Sequence, residues 1–191
     1  TTTGWAYAVN GVTGNLTAIA IKDMKSSEKT DLLDGNDIDV KSMVEENCAG
    51  FVYGDMTSVA VSEDGSKLAV AIQAENYADT GRVVLFTCNA DGTLTFDKVY
   101  ETGVQPDMVT FASNDSKILT ADEGEPRDGY GDGIIDPKGT VTIINLADQT
   151  VSQVDFTSYD NSDSREQLVE SGVILKKNTN PSVDFEPEYI A

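Results

Sequence analysis

Residues 105–127 read QPDMVTFASNDSKILTADEGEPR. Val109 and Phe111, then Ile118 and Leu119, are the apolar positions of two runs with β-type composition. Asn114-Asp115 between them is a tight-turn signal. The second run ends in Asp122-Glu123-Gly124-Glu125-Pro126-Arg127, a dense acidic loop whose glycine and proline stop the strand. The stretch predicts a hairpin followed by a charged loop.

The same hairpin occurs earlier in the chain. VAVSEDGSKLAVA, from Val59, aligns without a gap with VTFASNDSKILTA, from Val109, so that Lys67 matches Lys117 fifty residues on. Each hairpin is followed by two more strand-like runs. In the first unit these are Arg82–Cys88 and Leu94–Tyr100, joined by an Asp91-Gly92 turn; in the second they are Gly139–Leu146 and Val151–Phe156. Four-stranded units recurring every ~40–50 residues mark a β-propeller. A β-sandwich with accidental similarity is the alternative, and it explains the gapless match less well.

A third start follows. Glu186–Ala191, EPEYIA, matches Gln105–Thr110, QPDMVT, across an insertion at 158–177. Within the insertion Ser164–Ser171 predicts a short helix capped by Ser162 or Asp163. At the other end, Gly4–Lys22 reads as a hairpin about Gly11–Asn15 and resembles the second and third strands of a blade without its first. Asp23–Asn47 offers only Leu32-Leu33 and Ile38–Val40 as apolar clusters, and Lys41–Glu46 reads as a short helix or a strand end. The expected architecture is all-β, with propeller-like blades of four antiparallel strands and one short helix in an insertion. Its divisions are a partial blade (1–53), two blades (54–103 and 104–157), the insertion (158–183) and the start of a further blade (184–191). A closed propeller needs at least four blades. The chain therefore reads as a fragment completed by the remaining blades of a longer chain or by a second copy.

The formal charge of −20 repels nucleic acid and anionic membranes and favours cations and basic partners. The absence of histidine excludes a Ser-His-Asp triad and His-ligated zinc. Any metal would have oxygen ligands, which points to calcium or magnesium. Cys48 and Cys88 lack CxxC spacing; one disulfide and two free thiols both remain open. No apolar run approaches the ~20 residues of a membrane helix. A start at Thr1 predicts a mature or trimmed form, and the composition suits a bacterial exported protein.

Four motifs together, GVQPDMVTF (103–111), TADEGEPRD (120–128), DPKGTVTIINL (136–146) and DFEPEYIA (184–191), resemble the choice-of-anchor I family of exported bacterial proteins. That family is similar to mesenchyme-specific cell-surface glycoproteins and overlaps with proteins described as alkaline-phosphatase-like. The resemblance runs from about Gly54 to the end of the chain. It implies an extracellular or surface-anchored propeller, with calcium binding as an expectation, and a protein or cell-surface partner.

The candidate chemistry lies in carboxylates. Propeller topology places the start of each first strand, and the loop between second and third strands, on one face. Asp107, Asp122, Glu123, Glu125, Asp184, Glu186 and Glu188 are therefore expected to converge there. A divalent cation, calcium in preference, relieves such repulsion with six to eight oxygen ligands at about 2.3–2.6 Å. A solvated acidic rim without an ion is the plainer alternative. Asp128, Asp132 and Asp136 form a second candidate in an EF-hand-like loop, but Tyr130 and Gly139 stand where ligands belong. Arg127 either pairs with a neighbouring carboxylate or clamps a phosphate or carboxylate ligand. Two functions are in play. One is a non-catalytic, exported propeller segment binding a cation or partner through its acidic face. The other is a metal-dependent phosphoesterase using the same carboxylates, for which no spacing identifies a nucleophile.

Overall fold

The computed structural model describes residues 4–21 and 36–191. Leu32-Leu33 and the rest of 23–35 lie outside the described residues. Three antiparallel sheets follow one another in chain order. The first comprises β1 (Trp5–Asn10), β2 (Asn15–Ala20) and β3 (Asn36–Asp39). The second comprises β4 (Tyr53–Val61), β5 (Lys67–Ala74), β6 (Thr80–Cys88) and β7 (Leu94–Val104), and the third β8 (Pro106–Ala112), β9 (Lys117–Asp122), β10 (Thr140–Asn145) and β11 (Val151–Asp155). Both four-stranded sheets run in simple up-and-down order, as the repeat predicts. The amino-terminal hairpin gains β3 as a third strand, through pairs from Asn15↔Asp39 to Ala18↔Asn36.

The expectation of one helix, confined to the insertion, needs correcting. A helix α1 (Val40–Asn47) follows β3, because Asp39 caps it by accepting from Ser42 N at 2.9 Å and Ser42 Oγ at 2.7 Å. It buries Val40 and Val44 against the first sheet's core. The insertion helix α2 (Ser162–Glu170) begins earlier than expected, and its cap is Asn161, whose side chain accepts from Ser164 N at 2.9 Å. A single turn, α3 (Pro181–Asp184), is tied back to the insertion by Asp160, which accepts from Ser182 N and Ser182 Oγ. Phe156 and Phe185 close that corner edge to face at 5.2 Å.

The middle sheet is buried on both faces, which explains why β5 reads as the unbroken run LAVAI rather than an alternation. Leu68, Val70 and Ile72 point into a cluster with Leu16, Ala18, Val40, Val44 and Phe86 of the first interface. Ala69 and Ala71 point the other way, into a cluster with Val83, Leu85, Tyr100, Val109, Ile118 and Ile144. The small alanines let the third sheet approach. The first strands of successive sheets, β4 and β8, meet through Thr57 Oγ1 donating to Pro106 O at 2.7 Å and Val109 N donating to Ser58 Oγ at 3.2 Å. The β8–β9 turn holds Ser113, Asn114 and Asp115 at φ 54°, 55° and 61°. Asp115 is then aimed at the preceding sheet's turn, accepting from Glu63 N at 3.0 Å and Asp64 N at 3.2 Å.

The crossover between blades also repeats. A Cβ on Gly81, in β6, would overlap the Pro106 ring that opens β8. A Cβ on Gly139, just before β10, would overlap Phe185 O and the Pro187 ring. The EPEYIA segment thus sits on the third sheet as the start of β8 sits on the second. Residues 185–191 form no strand there, because a strand is defined by its ladder and no neighbour is present among the described residues.

Ile118 fills the interface between the second and third sheets and is fully buried, whereas Ile174 in the insertion is 95% exposed. Ile118→Ala should cost about 2–5 kcal/mol, and Ile174→Ala should stay within about 0.5 kcal/mol, both read as urea midpoints at unchanged slope.

Candidate functional site

The acidic loop after β9 is fixed by one side chain that the charge pattern hides. Gln105 links β7 to β8 with a left-handed φ of 56°, a conformation a β-carbon disfavours. Its burial and bonds hold it there. Its Nε2 donates to Tyr77 O at 2.9 Å and Glu125 O at 2.7 Å, and its Oε1 accepts from Glu125 N at 3.2 Å. Its main-chain oxygen accepts from Glu123 N at 3.0 Å. The Asp122–Arg127 loop is thereby folded over the start of the first strand. No motif singles out Gln105; the one sequence signal is its place before Pro106 at a blade boundary.

Asp122 does not belong to the exposed rim. It is fully buried. Its Oδ1 accepts from Thr120 Oγ1 at 2.6 Å. Its Oδ2 accepts from Thr142 Oγ1 at 2.6 Å, Thr140 Oγ1 at 2.8 Å and Gly103 N at 3.2 Å. Burial pushes its carboxyl up, and the three hydroxyls and the amide pull it back. The alternation of β9 is the reason: Ile118, Thr120 and Asp122 share the face turned to the preceding sheet, while Glu123 lies on the other.

Glu123 is where the remaining acids meet. Burial, then the charges of Asp107, Glu188 and Glu125, push its carboxyl up to about 7, against the opposing pull of Arg127. Asp107 comes from β8 and Glu188 from the 185–191 segment, so the first-strand starts and the loop do share a face. Glu186 lies beside them. Burial and the charges of Glu125, Asp136 and Asp184 raise its carboxyl, and Lys176 opposes them.

The EF-hand-like loop does not close on itself. Asp128 and Asp132 are exposed, and the charge of Asp128 acts on Tyr77, whose hydroxyl donates to Ile135 O at 3.2 Å. Asp136 instead turns toward Lys176 and Asp184; burial raises its carboxyl, and its Oδ1 is buried without a hydrogen-bond partner. Among the described residues, no group of three or more aspartate, glutamate or cysteine side chains stands close enough to hold a metal ion directly. Arg127 makes its short contact with an amide rather than a carboxylate: Nη2 donates to Gln73 Oε1 at 2.8 Å, while Nε lies 4.0 Å from Glu125 Oε2. Cys48 and Cys88 are free thiols, half-buried, and burial pushes the Cys88 thiol up.

The sequence profile of the choice-of-anchor I domain matches residues 2–191. No curated protein matches the chain. Among solved structures, a candidate 6-phosphogluconolactonase of Bacteroides fragilis is similar over 79% of this chain and 35% of its own, at 17% identity and a TM-score of 0.50. A second, from Bacteroides uniformis, is similar over 79% of this chain and 36% of its own, at 16% identity and a TM-score of 0.51. The shared fold is that of a β-propeller, matched over about a third of those structures. The chain spans about a third of the length of these structures.

The raised Glu123 carboxyl predicts the sign of a pH effect. Its value in the unfolded chain is near the ordinary 4.5, and in the folded chain about 7. Between those values the folded state holds a proton that the unfolded state has released. Its contribution is therefore full below pH 4.5 and is lost as pH rises through about 7. Thermal melts of Glu123→Gln should lose this fall, so that the variant gains on the parent across that window. A difference that does not change with pH would contradict the assignment.

Proposed function

The chain belongs to the choice-of-anchor I domain family, and from that premise we propose that it is a non-catalytic propeller segment of an exported or surface-anchored bacterial protein. Its acidic rim binds a divalent cation, calcium in preference, or a basic group of a protein or cell-surface partner. The observation that carries this reading is the crowding of Glu123 by Asp107, Glu188 and Glu125. Carboxylates drawn together at a cost to their own ionisation are relieved by an incoming positive charge. Glu186, Asp184 and Asp136 extend the negative field along the same side.

The donor set bears on how an ion would be held. Direct calcium coordination calls for six to eight oxygens in one shell. With no three carboxylates among the described residues disposed to share one ion, the rim suits a cation that keeps part of its water. The carboxylates expected to serve a phosphoesterase lose Asp122, whose oxygens are taken by three threonines and an amide. Among the described residues no helix is long and apolar enough to cross a membrane. Neighbouring blades of a longer chain, or a second copy, are proposed to cover the far side of the third sheet, where Val154, paired with Val141, is 49% exposed.

Calcium titration followed by thermal melting tests the reading. At one hundred times the dissociation constant a single site contributes about 2.7 kcal/mol, a rise of roughly 5–10 °C for a domain of this size. Asp107→Asn with Glu123→Gln should remove that rise, and near pH 7 and above its calcium-free melt should itself lie above the parent's, because the repulsion at Glu123 is gone. A melting temperature that saturating calcium leaves unchanged, with no shift on adding a lysine-rich peptide either, would overturn the proposal.

A further inference from the structure

The repeat breaks at one position of the second sheet. Arg82 on β6 pairs with Ile72 on β5, as Thr140 on β10 pairs with Asp122, fifty residues on from Ile72. In the third sheet that place holds a threonine bonded to the buried carboxylate. In the second it holds an arginine paired with an isoleucine, so no acid of β5 calls for the charge. The Arg82 side chain is only 16% exposed. Its Cζ lies 4.8 Å from the centre of the Phe51 ring. Nη1 donates to Thr80 O at 3.1 Å, Thr80 Oγ1 at 3.0 Å and Gly81 O at 2.7 Å. Nη2 lies 3.3 Å from Oε2 of the exposed Glu101. Among the described residues Nε donates to nothing. The head group is thus held rigidly with donor capacity left over.

Arg82 lines a cavity of about 440 Å³, between the 49–52 segment that leads into β4 and the 74–80 segment that joins β5 to β6. Its volume falls within the ~300–1,000 Å³ of small-molecule sites. Phe51, Val52 and Ala78 give the cavity an apolar wall, and Glu75 and Asp79, both exposed, give it two carboxylates. The two walls are tied together, since Glu75 N donates to Val52 O at 3.0 Å. Asn76 holds the loop in shape: its Oδ1 accepts from Ala78 N at 3.3 Å, and its main-chain oxygen accepts from Asp79 N at 3.0 Å. The cavity shares no residue with the acidic rim around Glu123.

We propose that this cavity binds an α-amino acid with an apolar side chain. Its carboxylate meets Arg82, its ammonium group meets Glu75 and Asp79, and its side chain lies against Phe51 and Val52. The chemistry selects this class. A guanidinium offers paired N–H donors that match a carboxylate. A plain anion meets Glu75 and Asp79 in the same cavity, and a plain cation meets Arg82. A zwitterion complements both charges. The hydrocarbon wall offers no hydrogen bonds, so it favours an aliphatic or aromatic side chain over a polyhydroxylated ring. This goes beyond the cation reading of the rim, and either stands if the other fails.

The test is an amide-resonance titration of the whole chain in calcium-free buffer. It follows the main-chain amides of 50–52 and 76–80 and the Arg82 Nε–H, which is assigned by its loss in Arg82→Lys. Leucine, valine and phenylalanine are the probes. At least one of them should shift these signals saturably. Two derivatives of the tightest binder, its amide without the carboxylate and its N-acetyl form without the ammonium, should each bind about tenfold more weakly. Glu75→Gln with Asp79→Asn, both at exposed positions, should keep a native spectrum and weaken the amino acid about fivefold. Three outcomes would overturn the site: no saturable shift with any of the three amino acids; a derivative that binds as tightly as its parent; or undiminished binding in the double variant.

Discussion

The four hydrogen bonds to the Asp122 carboxylate are the constraint on which the blade-to-blade arrangement turns. Thr120 lies on β9, Thr140 and Thr142 on β10, and Gly103 on β7 of the preceding sheet. One carboxylate thus joins two strands of its own sheet to the last strand of the sheet before. Charged acceptors make stronger hydrogen bonds than neutral ones, and a buried charge that loses its donors is strongly destabilising. The group therefore stabilises this stacking only in the native register. Gln105 completes the fastening on the other side of the same crossover, binding the acidic loop to both the main chain and the loop of Tyr77.

The proposed function rests on that anchorage. With Asp122 turned inward, the residue after it must turn outward, and Glu123 is delivered to the face where Asp107 opens β8 and Glu188 lies in the 185–191 segment. The acids of the rim are thus positioned by strand alternation and loop closure rather than by ligand bonds. Their mutual repulsion at Glu123 is an energy the fold carries, and the proposed cation or basic partner would relieve it. Gln73 stands at the matching place one sheet earlier, with Arg127 reaching back to it from the acidic loop.

Much of the fold was legible because a propeller writes its period into the chain. The gapless match of Val59–Ala71 to Val109–Ala121 fixed both hairpins, and the pairing of Glu186-Pro187 with Gln105-Pro106 reappears as two prolines packed on Gly139 and Gly81. What escaped was set by side chains of unremarkable type. The cap at Asp39 decided between helix and strand end for 41–46, and composition alone does not weigh a cap against a short apolar pattern. Asp122 looked like its acidic neighbours, since its environment is built from threonines eighteen and twenty residues on and a glycine nineteen residues back. The aspartates at 128, 132 and 136 had the spacing of a calcium loop, but three-dimensional convergence also needs the missing ligands at Tyr130 and Gly139.

The central claim is that Asp122 fastens successive blades, leaving the other acids to the rim. It is tested most directly by native-state hydrogen exchange at the Gly103 amide, whose one described acceptor pair is Asp122 Oδ2 and, at 3.0 Å, Thr142 Oγ1. The account predicts that Gly103 N–H exchanges with the slowest core amides of β5 and β9, and that Asp122→Asn moves it to fast exchange together with the third sheet. Rapid exchange of Gly103 in the parent chain while β5 remains protected, or protection unchanged in Asp122→Asn, would contradict it.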